Sequence, residues 1–384
     1  MNVKSATTSG NRFVSLEIGR GVAALLVVLY HFGSICDKYI GATPSLSSPF
    51  RGGHAGVEYF FTLSGFIIYY NHVGDIGKRE KFVTFFKKRF IRIIPMYWLV
   101  ISLMTLAFII NPRWGVEKNL SFINVVMDYL LLPREGPILL PPAWTLEREF
   151  LFYAIFSISM LLPKLGIPTF YLWQLLIAAV SLFTIVSNIR PEGLIWFLFG
   201  VHNLGFMVGA LCAWMILNQE RPSKSMLMLI LLIGAAGVFG IMLIEWSMDL
   251  DFDAVQNPSV EIGRSFLYVV SFGLIVYSCA ASESNSRWRY EKYMLLFGAS
   301  SYLIYIIHEP FASFFLKLTS SDLLRRHVGS NGFYILTIIL VVGAAVFLHV
   351  WLERPVTQYL RKTLIRSYPP RLSERLRYLW LNQP

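Results

Sequence analysis

The apolar residues of this chain arrive in unbroken runs of roughly 17 to 25, the length a helix needs to cross about 30 Å of hydrocarbon. The runs do not alternate every second residue, which excludes an outer-membrane barrel. Only 15% of the residues are charged and the mean hydropathy is +0.55, whereas a soluble domain carries about a quarter charged residues. The reading is an all-α polytopic membrane protein, and intrinsic disorder is excluded. Ten spans are expected, at residues 14–33, 56–72, 93–111, 148–162, 169–187, 193–217, 226–246, 262–281, 295–317 and 333–352. The stretch 119–132 is apolar but too short to span, and is expected to lie as a re-entrant or interfacial helix.

A net charge of +11 would suggest nucleic acid in a soluble chain. Here the basic residues gather between apolar runs, and membrane orientation accounts for them without a nucleic-acid partner. With the N-terminus inside, the inner segments hold 22 of the 34 Lys and Arg residues, a bias that favours N-in and C-in. The loop at 245–261, with Glu245, Asp249, Asp251, Asp253 and Glu261, then faces outside. The chain divides into a cytoplasmic tail at 1–13, a membrane domain at 14–352 and a basic cytoplasmic tail at 353–384. That last tail, with Arg361, Lys362, Arg366, Arg371, Arg375 and Arg377, suits an anionic lipid surface or simply water. No small-residue cleavage site follows the first run, so it reads as a retained anchor. Cys36, Cys212 and Cys279 are widely spaced and odd in number, with no disulfide framework or metal-finger spacing. No repeat of fixed period is visible.

Ionisable side chains within a span cost about 2.5 to 3.5 kcal/mol each on insertion scales, which makes them candidates for function. Arg20 and His31 share the first run. Eleven residues at about 100° each close to within roughly 20° of three full turns, so both side chains lie on one helix face about 16.5 Å apart. Arg20 as a snorkelling side chain and His31 as a satisfied packing residue are the plainer alternatives.

The segment from Arg20 to His31 resembles the arginine, ten residues, histidine signature of the membrane acyltransferase 3 family. Further pieces are similar in order: Gly56 to Phe66 (GVEYFFTLSGF), Arg89 to Trp98 (RFIRIIPMYW), Trp144 to Tyr153 (WTLEREFLFY), Ser301 to His308 (SYLIYIIH) and Glu353-Arg354-Pro355. The resemblance covers nearly the whole chain. One departure is Glu17, where the family usually shows Leu-Asp shortly before the arginine.

The resemblance implies transfer of an acyl group, acetyl above all, from cytoplasmic acyl-CoA to an extracytoplasmic glycan. Beside it stands a reading of the residues. In the N-in topology Glu149 opens the fourth span at the outer side, level with His31, so that carboxylate and imidazole form a base and its orienting partner. Tyr153 lies one turn below Glu149. A helix-end charge favoured by the macrodipole is the alternative for Glu149, and an interfacial anchor for Trp144. Arg89 and Arg92, one turn apart in the basic cluster at 78–92, suit the phosphates of coenzyme A, and Arg20 extends that binding set. Ser64 and Gly65 read as close packing or a gap for the pantetheine arm. His308 is either a second site residue on the acceptor side or a buried structural hydrogen bond. Gly205 and Gly209 form a GxxxG, a weak signal by itself.

The expectation is therefore an inner-membrane O-acyltransferase that acylates a polysaccharide or lipid-linked glycan. Acetyl-CoA or another acyl-CoA is the donor, and no metal is involved. His31 and Glu149 are catalytic, Arg20, Arg89 and Arg92 bind the donor, and Trp144, Tyr153 and His308 bind the acceptor. The partners are the bilayer, the donor, the glycan and, where one exists, polysaccharide assembly machinery. The rivals are a transporter or flippase, whose Arg and His bind substrate or relay protons, and a non-catalytic member of an assembly complex.

Overall fold

The computed structural model describes residues 13–365 apart from 116, 117, 119, 135, 249–256, 284–290, 320 and 321. The expectations for the tail at 1–12, for Asp249, Asp251 and Asp253 and for Arg366, Arg371, Arg375 and Arg377 lie outside these residues.

Among the described residues the architecture is all-helical. In chain order the helices are α1 (Val14–Ile40), α2 (Gly56–His72), α3 (Arg79–Ile110), α4 (Phe122–Tyr129), α5 (Ala143–Leu161), α6 (Pro163–Ser187) and α7 (Gly193–Phe199). They continue with α8 (Leu204–Asn218), α9 (Lys224–Ser247), α10 (Pro258–Ser282), α11 (Glu291–Ala299), α12 (Ser301–Thr319), α13 (Asp322–Leu348) and α14 (Arg354–Leu364). A single π-helical stretch, His349–Glu353, joins the last two.

Among the described residues, seven stretches are long and apolar enough to cross a membrane: Val14–Ile40, Arg79–Ile110, Pro163–Ser187, Gly193–Asn218, Lys224–Ser247, Pro258–Ser282 and Gly329–Leu364. The chain is a multi-pass membrane protein. The three other expected spans correspond to helices that are shorter or more polar. α2 has 17 residues, about 25 Å of rise. α5 carries Glu147, Arg148 and Glu149 in its first two turns, and α12 carries His308, Glu309 and Lys317. The expected span at 295–317 is interrupted at Ser300, which separates α11 from α12, and the run at 193–217 breaks at Gly200–Asn203. The basic stretch from Arg79 to Arg92 is the first part of the 32-residue α3, so its charges ride on a helix continuous with the apolar run. The apolar stretch at 119–132 contains only the eight-residue α4.

Local chemistry sets the boundaries. α1 stops at Gly41, whose left-handed φ of 72° lets its N–H reach the Asp37 carbonyl. α9 starts at Ser223, whose hydroxyl accepts the Met226 N–H, and α10 starts at Asn257, whose side chain accepts the Ser259 and Val260 N–H groups just before Pro258. The long helices turn many large apolar side chains outward, among them Leu103, Ile109, Val186 and Phe239, as a surface in contact with hydrocarbon allows. Inside, Phe32, Phe61, Tyr97, Tyr153, Phe206 and Tyr305 belong to one buried cluster. Leu16, Tyr59, Phe66, Tyr268 and Phe272 belong to a second.

The tightest helix crossing is between α2 and α8. A methyl group built on Gly209 would lie 1.8 Å from the Thr62 carbonyl oxygen, and one on Gly65 would lie 2.1 Å from the Phe206 carbonyl oxygen. Gly205 similarly abuts Phe61. The Gly205–Gly209 spacing is therefore a real contact surface, of the kind small residues allow between membrane helices. Gly209→Ala is expected to force the helices apart and to cost about 1 to 3 kcal/mol. A drop in the melting temperature of the detergent-solubilised protein would read this out, and an unchanged melting curve would contradict the close crossing.

Candidate active site

A cavity of about 60 Å³ lies where α1, α2, α3, α5 and α12 meet. α1 contributes Arg20, α2 Ser64, α3 Arg89 and Arg92, α5 Glu149 and Tyr153, and α12 Tyr302 and Tyr305. Three guanidinium groups and one carboxylate give this lining a net positive charge.

Hydrogen bonds fix the carboxylate. Ser64 Oγ donates to Glu149 Oε1 at 2.9 Å, and the Tyr153 hydroxyl donates to the same oxygen. Tyr153 is one helical turn beyond Glu149 on α5, which places both on one face. The Arg89 guanidinium is stacked 5.6 Å from the ring centroids of both Phe85 and Tyr153. It also donates to His72 Nε2 at 3.2 Å. That donation requires a lone pair on Nε2, so the His72 proton is on Nδ1, which donates to Asp75 Oδ2 at 2.8 Å. The chain Arg89–His72–Asp75 thus orients one cavity arginine without neutralising it directly.

A second hollow, lined by Phe13, Leu16, Glu17, Arg20, Leu63, Ile67 and Asn71, shares Arg20, Leu63 and Ile67 with the cavity. It adjoins the cavity toward the N-terminal end of α1.

His31 lies elsewhere. Its ring centroid is 5.2 Å from that of His308, and His31 Nε2 and His308 Nε2 each lie 3.8 Å from Glu309 Oε1. The donor atoms of these three residues all lie within 4.8 Å of one another. His308 is buried and its Nδ1 bonds to the Tyr305 carbonyl. It thus makes a buried structural hydrogen bond, and its ring faces His31. The expected pairing of His31 with Glu149 is not among the contacts: Glu149 meets Ser64 and Tyr153, and the carboxylate beside His31 is Glu309. Glu149 was expected level with His31. It lines the same cavity as Arg20, eleven residues before His31 on α1.

Trp144, on the first turn of α5, stacks edge-on to His202 at 5.5 Å and under the Arg148 guanidinium at 5.1 Å. His202 Nδ1 in turn lies 3.0 Å from Glu58 Oε1, both residues being buried. Trp144 is thus tied into a buried polar group. The Thr145 and Tyr305 hydroxyls, 3.0 Å apart, link α5 to α12.

Sequence reasoning missed Glu309, Glu58 and His202. Glu309 had a local signal, since a second ionisable residue directly follows His308 in an otherwise apolar stretch. The Glu58–His202 pair spans 144 positions and has no local signature.

Beyond the polar cavity the connections around α4 are pinned. Arg134 donates to both carboxylate oxygens of Asp128, from Nε at 2.6 Å and Nη2 at 2.9 Å. Asp128 also accepts the Leu139 N–H at 2.9 Å. Hydrogen bonding to Asp128 outweighs burial and holds the Arg134 guanidinium above its ordinary range. Tyr97 donates to the Asp128 carbonyl and Trp98 Nε1 to the Tyr129 carbonyl, fastening α4 onto α3.

A cationic cavity and an imidazole pair at two stations along α1, inside a multi-pass helical bundle, define a membrane protein equipped to act on a polar substrate. The chain belongs to the acyltransferase 3 family, whose model, described as an acyltransferase domain, matches residues 13–350. It is similar to the exopolysaccharide production protein ExoZ of Rhizobium meliloti, 33% identical over 125 residues, covering 30% of this chain and 37% of that protein. It also resembles protein 2 in the picA locus of Rhizobium radiobacter, 29% identical over 169 residues, covering 38% of this chain and 81% of that protein. The O-acetyltransferase OatA of Staphylococcus aureus is 21% identical over 372 residues, covering 88% of this chain and 56% of that protein. The chain thus spans about a third of ExoZ and just over half of OatA. No solved structure matches it.

Proposed function

We propose that the protein is an inner-membrane O-acyltransferase that moves an acyl group, acetyl above all, from cytoplasmic acyl-CoA to a sugar hydroxyl of a glycan outside the bilayer. The observation that carries this reading is the α1–α12 seam. An arginine-lined cavity lies at Arg20, Tyr302 and Tyr305, and the His31–His308 pair follows further along the same two helices. Membership of the family and the likeness to an O-acetyltransferase support it, as does the inner-side excess of Lys and Arg for an N-in orientation.

In this reading the donor's phosphates meet Arg89, Arg92 and Arg20, since guanidinium forks match phosphate oxygens in pairs. Glu149, held by Ser64 and Tyr153, offsets part of the repulsion among the arginines and orients the thioester arm. The acceptor hydroxyl gives its proton to His31 as its oxygen bonds to the thioester carbonyl carbon. The carbon–sulfur bond then breaks, and coenzyme A leaves as the thiolate to take up a proton. Trp144 and Tyr153 shape the cavity walls, and His308 faces the acceptor.

The test is transfer of labelled acetyl from acetyl-CoA to glycan in sealed vesicles containing the full chain. Covalent label on the glycan is expected, with no transfer when the donor is supplied only on the side away from residues 78–88. A transporter or a non-catalytic partner would leave no covalent label. Arg92→Ala is expected to raise the KM for acetyl-CoA about tenfold or more while changing kcat little, because a phosphate contact remote from the thioester gives uniform binding. An equal fall in both parameters would remove Arg92 from donor binding.

A further inference from the structure

His31, His308 and Glu309 present an arrangement that the proposed reaction does not by itself require. The His308 Nδ1 contact is with a carbonyl oxygen, which only accepts, so the ring proton is on Nδ1 and Nε2 carries a lone pair. That Nε2 is buried and has no hydrogen-bond partner. It points toward the other two groups, 3.8 Å from Glu309 Oε1, and His31 Nε2 lies 3.8 Å from the same oxygen. As a base, His31 must also offer a lone pair. His308 Nε2 is therefore a buried acceptor without a donor, an unfavourable state, and it converges with His31 and Glu309. A ligand that fits brings one donor to His31 and a second to the His308–Glu309 side.

Spacing decides between a metal ion and hydroxyl groups. Around zinc, with bonds of about 2.0 to 2.1 Å, tetrahedral ligands stand about 3.3 Å from one another. Two acceptors that each take the proton of one of two neighbouring hydroxyls, at about 2.8 Å each, can stand well beyond that spacing. The observed separations of 3.8 Å, within an outer limit of 4.8 Å, exceed the zinc value and suit the pair of hydroxyls. Neighbouring gauche hydroxyls of a sugar ring have oxygens about 2.8 Å apart, themselves a hydrogen-bond length. One can give its proton to His31 while the other gives its proton to Glu309 or His308. The side chain of His31 is 31% exposed and that of Glu309 20%, against 1% for His308, so the ligand enters past the first two and meets the third at the bottom.

We propose that His308 and Glu309 form a subsite for the second hydroxyl of a vicinal diol, so that the acceptor is a sugar whose acylated ring hydroxyl has a free hydroxyl on the adjacent carbon. This deepens the acyltransferase reading and rests on it. Primary hydroxyls, and ring hydroxyls flanked by substituted positions, lack the second donor.

The test has two arms. In the first, surface glycan from cells with and without the protein, kept at acid pH so that esters do not migrate, is mapped by NMR. An ester that depends on the protein and lies beside a free ring hydroxyl supports the subsite. An ester that depends on the protein but lies on a primary or isolated hydroxyl overturns it while leaving acyl transfer intact. Glycans with identical ester content would overturn the acyltransferase reading itself. In the second arm, Glu309→Gln in vesicles is assayed against the glycan so identified. The KM for glycan is expected to rise about tenfold or more, with the KM for acetyl-CoA unchanged and kcat within a few-fold. A parallel loss in all three parameters, or activity abolished by chelator and restored by zinc alone, would overturn the proposal.

Discussion

Acyl transfer by the His31→Ala protein is expected to fall by about 10²- to 10⁴-fold, the range contributed by a positioned general base. The imidazole is partly exposed at 31%, so its removal leaves no large hole, and protein amount and acetyl-CoA binding should stay near the parent values. The Arg20, Arg89 and Arg92 cavity lies at another station on the seam, which is why donor binding and turnover separate in this variant. Initial rates with labelled acetyl-CoA, alongside donor titration on the same preparation, provide the measurement. Activity retained within a few-fold would remove His31 from the chemistry.

Asp128→Ala is expected to cost about 3 to 5 kcal/mol, as for breaking a buried ion pair from one side. The side chains of Asp128 and Arg134 are each only 2% exposed. Removing the carboxylate takes away the guanidinium's charged partner, leaving it the Pro137 carbonyl, and takes the acceptor from the Leu139 N–H. The loss should appear as a large fall in melting temperature and as new protease cleavage between residues 112 and 142. Adding Arg134→Leu should recover part of it, because the double variant no longer buries a charge without its counter-charge. A melting temperature unmoved by Asp128→Ala would show that the connection is held chiefly by Tyr97 and Trp98.

Much of the bundle was legible because apolar runs of membrane length are a one-dimensional signal. The runs behind α1, α6, α9 and α10 extend by one to seven residues at an end once their caps are seen. Which helices touch was not legible. Arg20 and Glu149 line one cavity, and Ser64 meets Glu149 across 85 positions; helical periodicity gives a face but not a neighbour. For the same reason Glu149 was assigned to His31 by depth along the chain, when the carboxylate that reaches His31 is on α12. The Gly205–Gly209 spacing carried little weight in the sequence because it is common in membrane helices. Its meaning came from Thr62 and Phe66 lying directly against it.

Part of the polar machinery rides on helices whose own hydropathy does not drive them into a bilayer. Glu58 and Ser64 are on α2, Glu147 to Glu149 on α5, and His308 and Glu309 on α12, none of which is among the seven long apolar stretches. During synthesis, α1 emerges well before α12 and can partition into lipid unaided. α12 follows nearly three hundred residues later, and its imidazole and carboxylate must find α1 waiting. The His31 cluster is thus completed only once α12 has been made, and a chain arrested before α12 would hold Arg20, Arg89 and Arg92 without the imidazole and carboxylate that face His31.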